Sequence, residues 1–241
     1  MQTTEELNEL VSKLKFQDGE LLLIDKPFDW TSFDVVKLIR VNLKSCLKLK
    51  CKVGHAGTLD PRATGLLMVA TGRKTKQIET FQGLDKGYKG TLKLGATTPC
   101  YDAEMEEDAT FPTEHITEEM LYAQTDKFIG SIHQTVPIYS AVKIDGKKSY
   151  KLARAGQEVR AKSRTININR FKIEKIEMPF VHFRVDCSKG TYIRSLAHDF
   201  GKSLQSGAYL TALQRTNIGP YHLDEAWELD PFIKAIRLLK K

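Results

Sequence analysis

The segment GHAGTLDPRATG, residues 54–65, gathers chemically capable groups into twelve positions: His55, Asp60 and Arg62 among three glycines, with Pro61 directly after the aspartate. An apolar run, Leu66-Leu67-Met68-Val69-Ala70, follows at once, so Asp60 stands in a loop that ends where a buried strand begins. Pro61 restricts the residue before it to extended geometry and so partly fixes Asp60 in advance. Glycines at 54, 57 and 65 allow sharp turns or close approach to a ligand. Two readings fit such a carboxylate: a turn residue capping its own backbone, or a catalytic group. A phosphate-gripping loop fits less well, because no Gly-Lys-Ser/Thr completes the pattern.

Other segments offer partners for that carboxylate. Arg194 falls in the first turn of a predicted helix directly after a strand, and a buried arginine close to Asp60 would keep it ionised; a surface helix arginine is the alternative. Tyr88 lies on the apolar face of a predicted strand, either as a core ring or as a ring on which a base stacks. His55 has no second His or Cys at ligand spacing, which argues against a metal site. Two basic stretches, KSCLKLKCK (44–52) and the Lys and Arg residues of 143–164, bracket the loop and suit a groove for a phosphate backbone.

The bulk composition agrees with such a partner. The 241 residues carry 37 Lys+Arg against 30 Asp+Glu, a net charge of +7 that favours a polyanion. Four cysteines (46, 51, 100 and 187) show neither metal spacing nor a disulfide framework and are expected as reduced thiols. The acidic N-terminus is no signal peptide and no run reaches the roughly 18 apolar residues of a membrane span, so a soluble cytoplasmic protein without membrane association is expected.

The elements that must position these groups can be sketched from periodicity. Residues 3–15 suit a short amphipathic helix, 20–27 a buried strand stopped by Pro27, and 65–72 a second buried strand. Thr31 and Asp34 stand in capping-box spacing before a helix that places Val35, Val36, Ile39 and Leu43 on one face. Period-two alternation marks 88–96 and 180–187 as strands, and 116–132 and the residues after Thr191 suit helices. The whole suggests an α/β protein of the α+β type: one domain with a mixed, largely antiparallel sheet, helices and long functional loops.

Taken together, these segments resemble the tRNA pseudouridine-55 synthase family of the TruB type, over nearly the whole chain. DKPFDWTSFDVV (25–36) is similar to its first motif, and GHAGTLDPRATGLL (54–67) matches its catalytic signature almost letter for letter. KGYKGTLKLGATT (86–98), CSKGTYIRSLAHDFG (187–201) and GAYLTALQRTNIGPY (207–221) resemble its Tyr, Arg and late Leu segments. PIYSAVKIDGKKSYKLARAG resembles its RNA-gripping thumb, a loop of about 137–163.

The resemblance implies isomerisation of uridine to pseudouridine at position 55 in the T-loop of tRNA, by base flipping and without metal or organic cofactor. It makes Asp60 the group that attacks or deprotonates the nucleoside, Arg194 its partner and Tyr88 the ring stacked on the flipped uracil. His55 would fill the space the nucleotide leaves, Tyr192 and Leu213 would wall the pocket, and Lys26 and Pro27 would buttress the loop. Lys143, Lys147, Lys148 and Arg154 of the thumb would grip RNA. The partner implied is the tRNA T-arm, bound by a monomer with no obligatory protein partner.

Three departures stand out. The glycine of the first motif is Asp29, a residue that tolerates left-handed geometry, so the turn is expected to persist. The family's Asp-Thr is Pro99-Cys100 and a later Gly is Met105, which suggests altered RNA contacts there. The chain stops at Lys241, where many members begin a PUA domain, so a single catalytic domain over 1–241 without one is expected. A tRNA-folding chaperone without catalysis and the catalytic subunit of a guided complex are the competing readings. The first has no use for a carboxylate facing anionic RNA, and the second generally carries docking segments absent here.

Overall fold

The computed structural model describes residues 4–140, 143–144, 147–149 and 162–239. Along the chain run α1 (Thr4–Lys13), β1 (Leu21–Lys26), α2 (Ser32–Cys46), β2 (Val53–His55), β3 (Ala63–Thr71), α3 (Ile78–Gly83) and β4 (Lys86–Leu94). There follow β5 (Ala96–Thr97), β6 (Ala109–Thr110), α4 (Glu118–Lys127), β7 (Gly130–Thr135), β8 (Lys143–Ile144), β9 (Lys147–Lys148) and β10 (Ser163–Glu177). The last are β11 (Phe180–Cys187), α5 (Ile193–Ser203), β12 (Ala208–Ile218), β13 (Tyr221–His222), β14 (Trp227–Glu228) and α6 (Leu229–Leu238). The chain divides into two compact units, Met1–Lys86 with Gln214–Lys241, and Gly87–Leu213.

The first unit is built around β3. Its neighbour β1 runs antiparallel to it from Leu21↔Ala70 to Lys26↔Gly65, β14 joins β1 in parallel, and β2 pairs antiparallel with β3 from Val53 to His55. Leu67 and Val69 of β3 enter a core with Leu22 and Ile24 of β1, Val35 and Ile39 of α2, and Phe232 and Ile236 of α6. Leu66 and Met68 face the other way, onto Ala56, Phe81 and Ile218. Burial on both faces is why this strand reads as a continuous apolar run and not as an alternation.

Helix α2 starts as its sequence dictates. Thr31 caps it, the Asp34 amide donates to Thr31 Oγ1 at 3.1 Å, and the Thr31 amide donates back to Asp34 Oδ2 at 3.0 Å. Such a cap is worth about 1 kcal/mol. The chain enters it through Asp29, whose φ of 60° is left-handed, so the turn survives without the family's glycine.

In the second unit β11 pairs antiparallel with β10, and β10 with β7 from Ser163↔Thr135 to Ile168↔Gly130. Val181, Phe183, Val185 and Cys187 of β11 are buried as their alternation required. Phe171 of β10 lies 5.6 Å from the Phe183 ring and 5.4 Å from the Phe200 ring of α5, at interplanar angles of 85° and 68°. Edge-to-face geometry of this kind adds to the burial of each ring. Largely antiparallel pairing with packed helices is the α+β architecture expected.

One local expectation changes. The helix expected over 116–132 ends at Lys127, because Gly130 at φ 95° reverses the chain and 130–135 become β7. The fifteen-residue strand β10 and helix α6 had no sequence assignment. Pro231 of α6 sits in the first turn, where its missing N–H costs nothing.

Candidate active site

Asp60 occupies the loop between β2 and β3, and that loop is pinned along its length. The Ala63 amide donates to Asp60 O at 3.1 Å, closing a turn with Pro61 in the position that suits its fixed φ. One residue earlier, the Leu59 amide donates to buried Ser32 Oγ at 2.8 Å. The Ala56 amide donates to Met68 O at 2.9 Å, and the Asp29 amide to Pro61 O at 3.0 Å. Gly57 (φ 95°) and Gly65 (φ 98°) make the bends. A Cβ at Gly65 would collide with the Arg215 backbone, so glycine there also answers a close approach of two strands.

Buried cations complete the pinning. Lys26 has no exposed surface, and its Nζ donates to Pro27 O at 2.8 Å, Trp30 O at 2.5 Å and Pro61 O at 3.3 Å. Burial brings its pKa down to about 8, with the charge of Asp60 opposing that pull. Arg215, 1% exposed, donates from Nε to Leu66 O at 2.8 Å and from Nη2 to Gly57 O at 3.1 Å, with Thr58 O 3.4 Å from Nη1. Lys86 is buried nearby and donates to Gln82 O at 2.7 Å. His55 enters the same loop; burial first, then the charge of Arg215, lowers its pKa and favours a neutral ring. Lys26 thus ties the main chain at Pro27 and Trp30 to that at Pro61, directly after Asp60.

The second unit holds the remaining candidates. Arg194 stands in the first turn of α5, buried and not on the surface, donating to Cys100 O at 3.0 Å and Tyr139 O at 3.1 Å. Its Nε lies 3.5 Å from Asp102 Oδ2, a carboxylate that also accepts from the Glu104 amide and the Cys100 thiol. Burial, then the bonded Asp102 carboxylate, raises the Cys100 thiol, which keeps it protonated as a donor.

Gln134 of β7, 1% exposed, fixes the start of α5 by accepting from the Tyr192 amide at 2.8 Å and donating to Tyr192 O at 3.0 Å. Tyr192 carries Arg164 over its ring at 5.2 Å. Tyr88 is buried on the inner face of β4 beside Leu92, and Leu213 is half-buried in β12.

Among the thumb residues, β8 and β9 pair antiparallel with Lys143 opposite Lys148 and Ile144 opposite Lys147. The side chains of Lys143, Lys147 and Lys148, and all of Arg154, lie outside the described residues. Sequence reading missed Asp102, Gln134 and Arg215. Each acts on a residue far away in the chain, and Arg215 stands among the polar neighbours Gln214, Thr216 and Asn217, so no local pattern marks it.

A chain in the structure of an H/ACA RNP bound to a substrate RNA containing 2′-deoxyuridine matches with a TM-score of 0.67 and 27% identity, covering 93% of this chain and 56% of that one. A chain of a Cbf5–Nop10–Gar1 complex matches at 0.68 and 28% identity, covering 96% and 62%. This chain thus spans only about three-fifths of those solved chains. The match of residues 44–193 to a pseudouridylate synthase family model sets the class, and the largely antiparallel mixed sheet with its pinned aspartate loop agrees with it.

Within that class the chain belongs to the TruB family: residues 44–193 match the family model described as TruB family pseudouridylate synthase, N terminal domain. Relatives named tRNA pseudouridine synthase B include one from Flavobacterium johnsoniae, 49% identical over 92% of this chain and 98% of its own length. Another, from Phocaeicola vulgatus, is 50% identical over 91% and 94%.

Proposed function

We propose that this chain isomerises uridine to pseudouridine in tRNA, at position 55 of the T-loop, with Asp60 as the essential carboxylate. The observation that carries the reading is the pinned GHAGTLDPRATG loop, in which main-chain bonds and Lys26 fix the backbone on both sides of Asp60. A carboxylate that merely capped its own turn would not call for buried cations from distant segments.

The reaction breaks N1–C1′, turns the detached uracil and joins C5 to C1′; the C5 proton leaves and N1 ends protonated, so no atom is gained or lost overall. The pocket must therefore hold a free base. Tyr88 supplies a stacking face, worth about 1–3 kcal/mol per base, and Tyr192 and Leu213 supply apolar wall. Extruding the nucleotide costs a few kcal/mol, which His55 filling the gap and the thumb cations Lys143, Lys147, Lys148 and Arg154 gripping the backbone help to offset. Arg194 serves Asp60 as its cationic partner.

Both compact units act as one catalytic domain in this reading, as a cytoplasmic monomer on the T-arm with no obligatory protein partner. No described helix is long and apolar enough to cross a membrane. Identity of 49–50% to chains named tRNA pseudouridine synthase B, against 28% to the Cbf5 complex chain, favours a tRNA enzyme over a subunit of a larger particle.

The test is direct. Purified protein is incubated with an unmodified tRNA transcript, without added metal or cofactor, and pseudouridine is mapped at single-nucleotide resolution. One new pseudouridine in the T-loop is the expected product. Tight binding without product would move the assignment to an RNA chaperone.

A further inference from the structure

Arg215 is the largest fully buried side chain among the described residues. Among the described residues its guanidinium binds only main-chain oxygens: Gly57 and Thr58 on the approach to Asp60, and Leu66 in the strand beyond it. One planar fork therefore spans both flanks of the loop that carries the carboxylate. Gly57 is part of the fit, since a Cβ there would meet Arg215 Nη1 at 3.6 Å and Lys86 Cε at 3.9 Å, and its φ of 95° is already left-handed.

A buried guanidinium is an expensive way to satisfy three carbonyls. Neutral donors or water would serve at far lower desolvation cost, and among the described residues no carboxylate forms an ion pair with this one. The cost makes sense if the loop must be held rigidly and the charge is used. The charge does reach the site: it lowers His55 at the entry to the loop and adds to the downward pull on Lys26 at its exit, after burial in both cases. Arginine suits the task because its donors are fixed in one plane, whereas a lysine could reach only part of the set.

We infer that Arg215 is a positioning residue for Asp60, setting the carboxylate for the chemical step and contributing little to RNA affinity. This rests on the activity proposed above. Small displacements of a reacting group cost large factors in rate, so the effect belongs in the rate at saturating substrate.

The test uses the full chain with Arg215→Lys and Arg215→Gln. Single-turnover pseudouridine formation is measured at saturating tRNA transcript, binding is measured separately, and both are normalised to the folded fraction from circular dichroism. Expected are rate losses of about 10-fold for Arg215→Lys and about 100-fold for Arg215→Gln, with Kd within about 3-fold of the unaltered chain. If Arg215→Gln fails to fold, Arg215→Lys decides by the same criteria. A folded Arg215→Lys working at the unaltered rate overturns the inference, as does a rate loss matched by an equal loss of affinity. Failure of both variants to fold also overturns it, by making Arg215 a requirement of the fold alone. No product from the unaltered chain refutes the activity itself, a result distinct from any of these.

Discussion

Lys26 gives the sharpest handle on the site, because its charge is expected to act in opposite directions on stability and on catalysis. An ordinary lysine titrates at 10.5, and burial brings this one down to about 8. At about 1.4 kcal/mol per pKa unit, that difference of about 2.5 units sets an upper limit of roughly 3 kcal/mol, reduced by whatever solvent screening reaches the group. Since the folded pKa is below the unfolded one, the unfolded chain binds more protons between about pH 8 and 10.5. The Lys26 share of stability is therefore lowest below pH 8 and rises through that window.

Catalysis runs the other way. The ammonium has three N–H bonds for the oxygens of Pro27, Trp30 and Pro61, and the neutral amine has two, so the loop loosens as Lys26 loses its proton. The single-turnover rate at saturating tRNA should fall on the alkaline side with a midpoint near 8. In Lys26→Met that limb should vanish and the rate should lie about 100-fold lower at pH 7. Removing the charge relieves its burial but strips donors from three carbonyls at about 1–3 kcal/mol each. A net loss of roughly 2 kcal/mol is expected, about 4–8 °C in melting temperature. An alkaline limb unchanged in Lys26→Met, or a variant that melts higher than the unaltered chain, would refute the assignment.

Other substitutions probe the rest of the site. Asp60→Asn should abolish turnover while leaving tRNA affinity within a few fold, as gel-shift and product mapping will show; normal turnover removes Asp60 from the chemistry. Arg194→Lys should slow the reaction because a single ammonium cannot reach Cys100 O, Tyr139 O and Asp102 together, and unchanged single-turnover kinetics would contradict its role. Gly65→Ala should cost roughly 3 kcal/mol or more in denaturant unfolding, since its φ is left-handed and its Cβ would meet the Arg215 backbone; a loss under about 1 kcal/mol would mean the strands can part freely.

What could be read from the sequence was local. Thr31 and Asp34 signal a helix start three residues apart, the run from Leu66 to Ala70 signals burial on both faces, and Asp29 signals a left-handed turn. The signature around Asp60 identified the loop because its glycines, proline and carboxylate are contiguous. Long-range partners were not legible. Arg215 meets Gly57 across 158 positions, and Gln134 meets Tyr192 across 58, without any spacing rule to join them. Strand β10 escaped notice because its alternation slips: Ile166 and Ile168 face inward, then a register shift between Ile168 and Arg170 puts Phe171 and Ile173 out of step with them, and a second follows between Ile173 and Lys175. Helix α6 escaped because Pro231 resembles a breaker until its place in the first turn is known.

The first unit is assembled from two separated pieces of chain, residues 1–86 and 214–241. During synthesis at about 5–20 residues per second, the Asp60 loop leaves the ribosome roughly 8–30 s before the arginine that braces it. Throughout that interval the nascent chain bears its acid group without the clamp, and α6 and β14, which complete the same core, are also still to come. The core of this unit can therefore close only once residues 214–241 have joined residues 1–86.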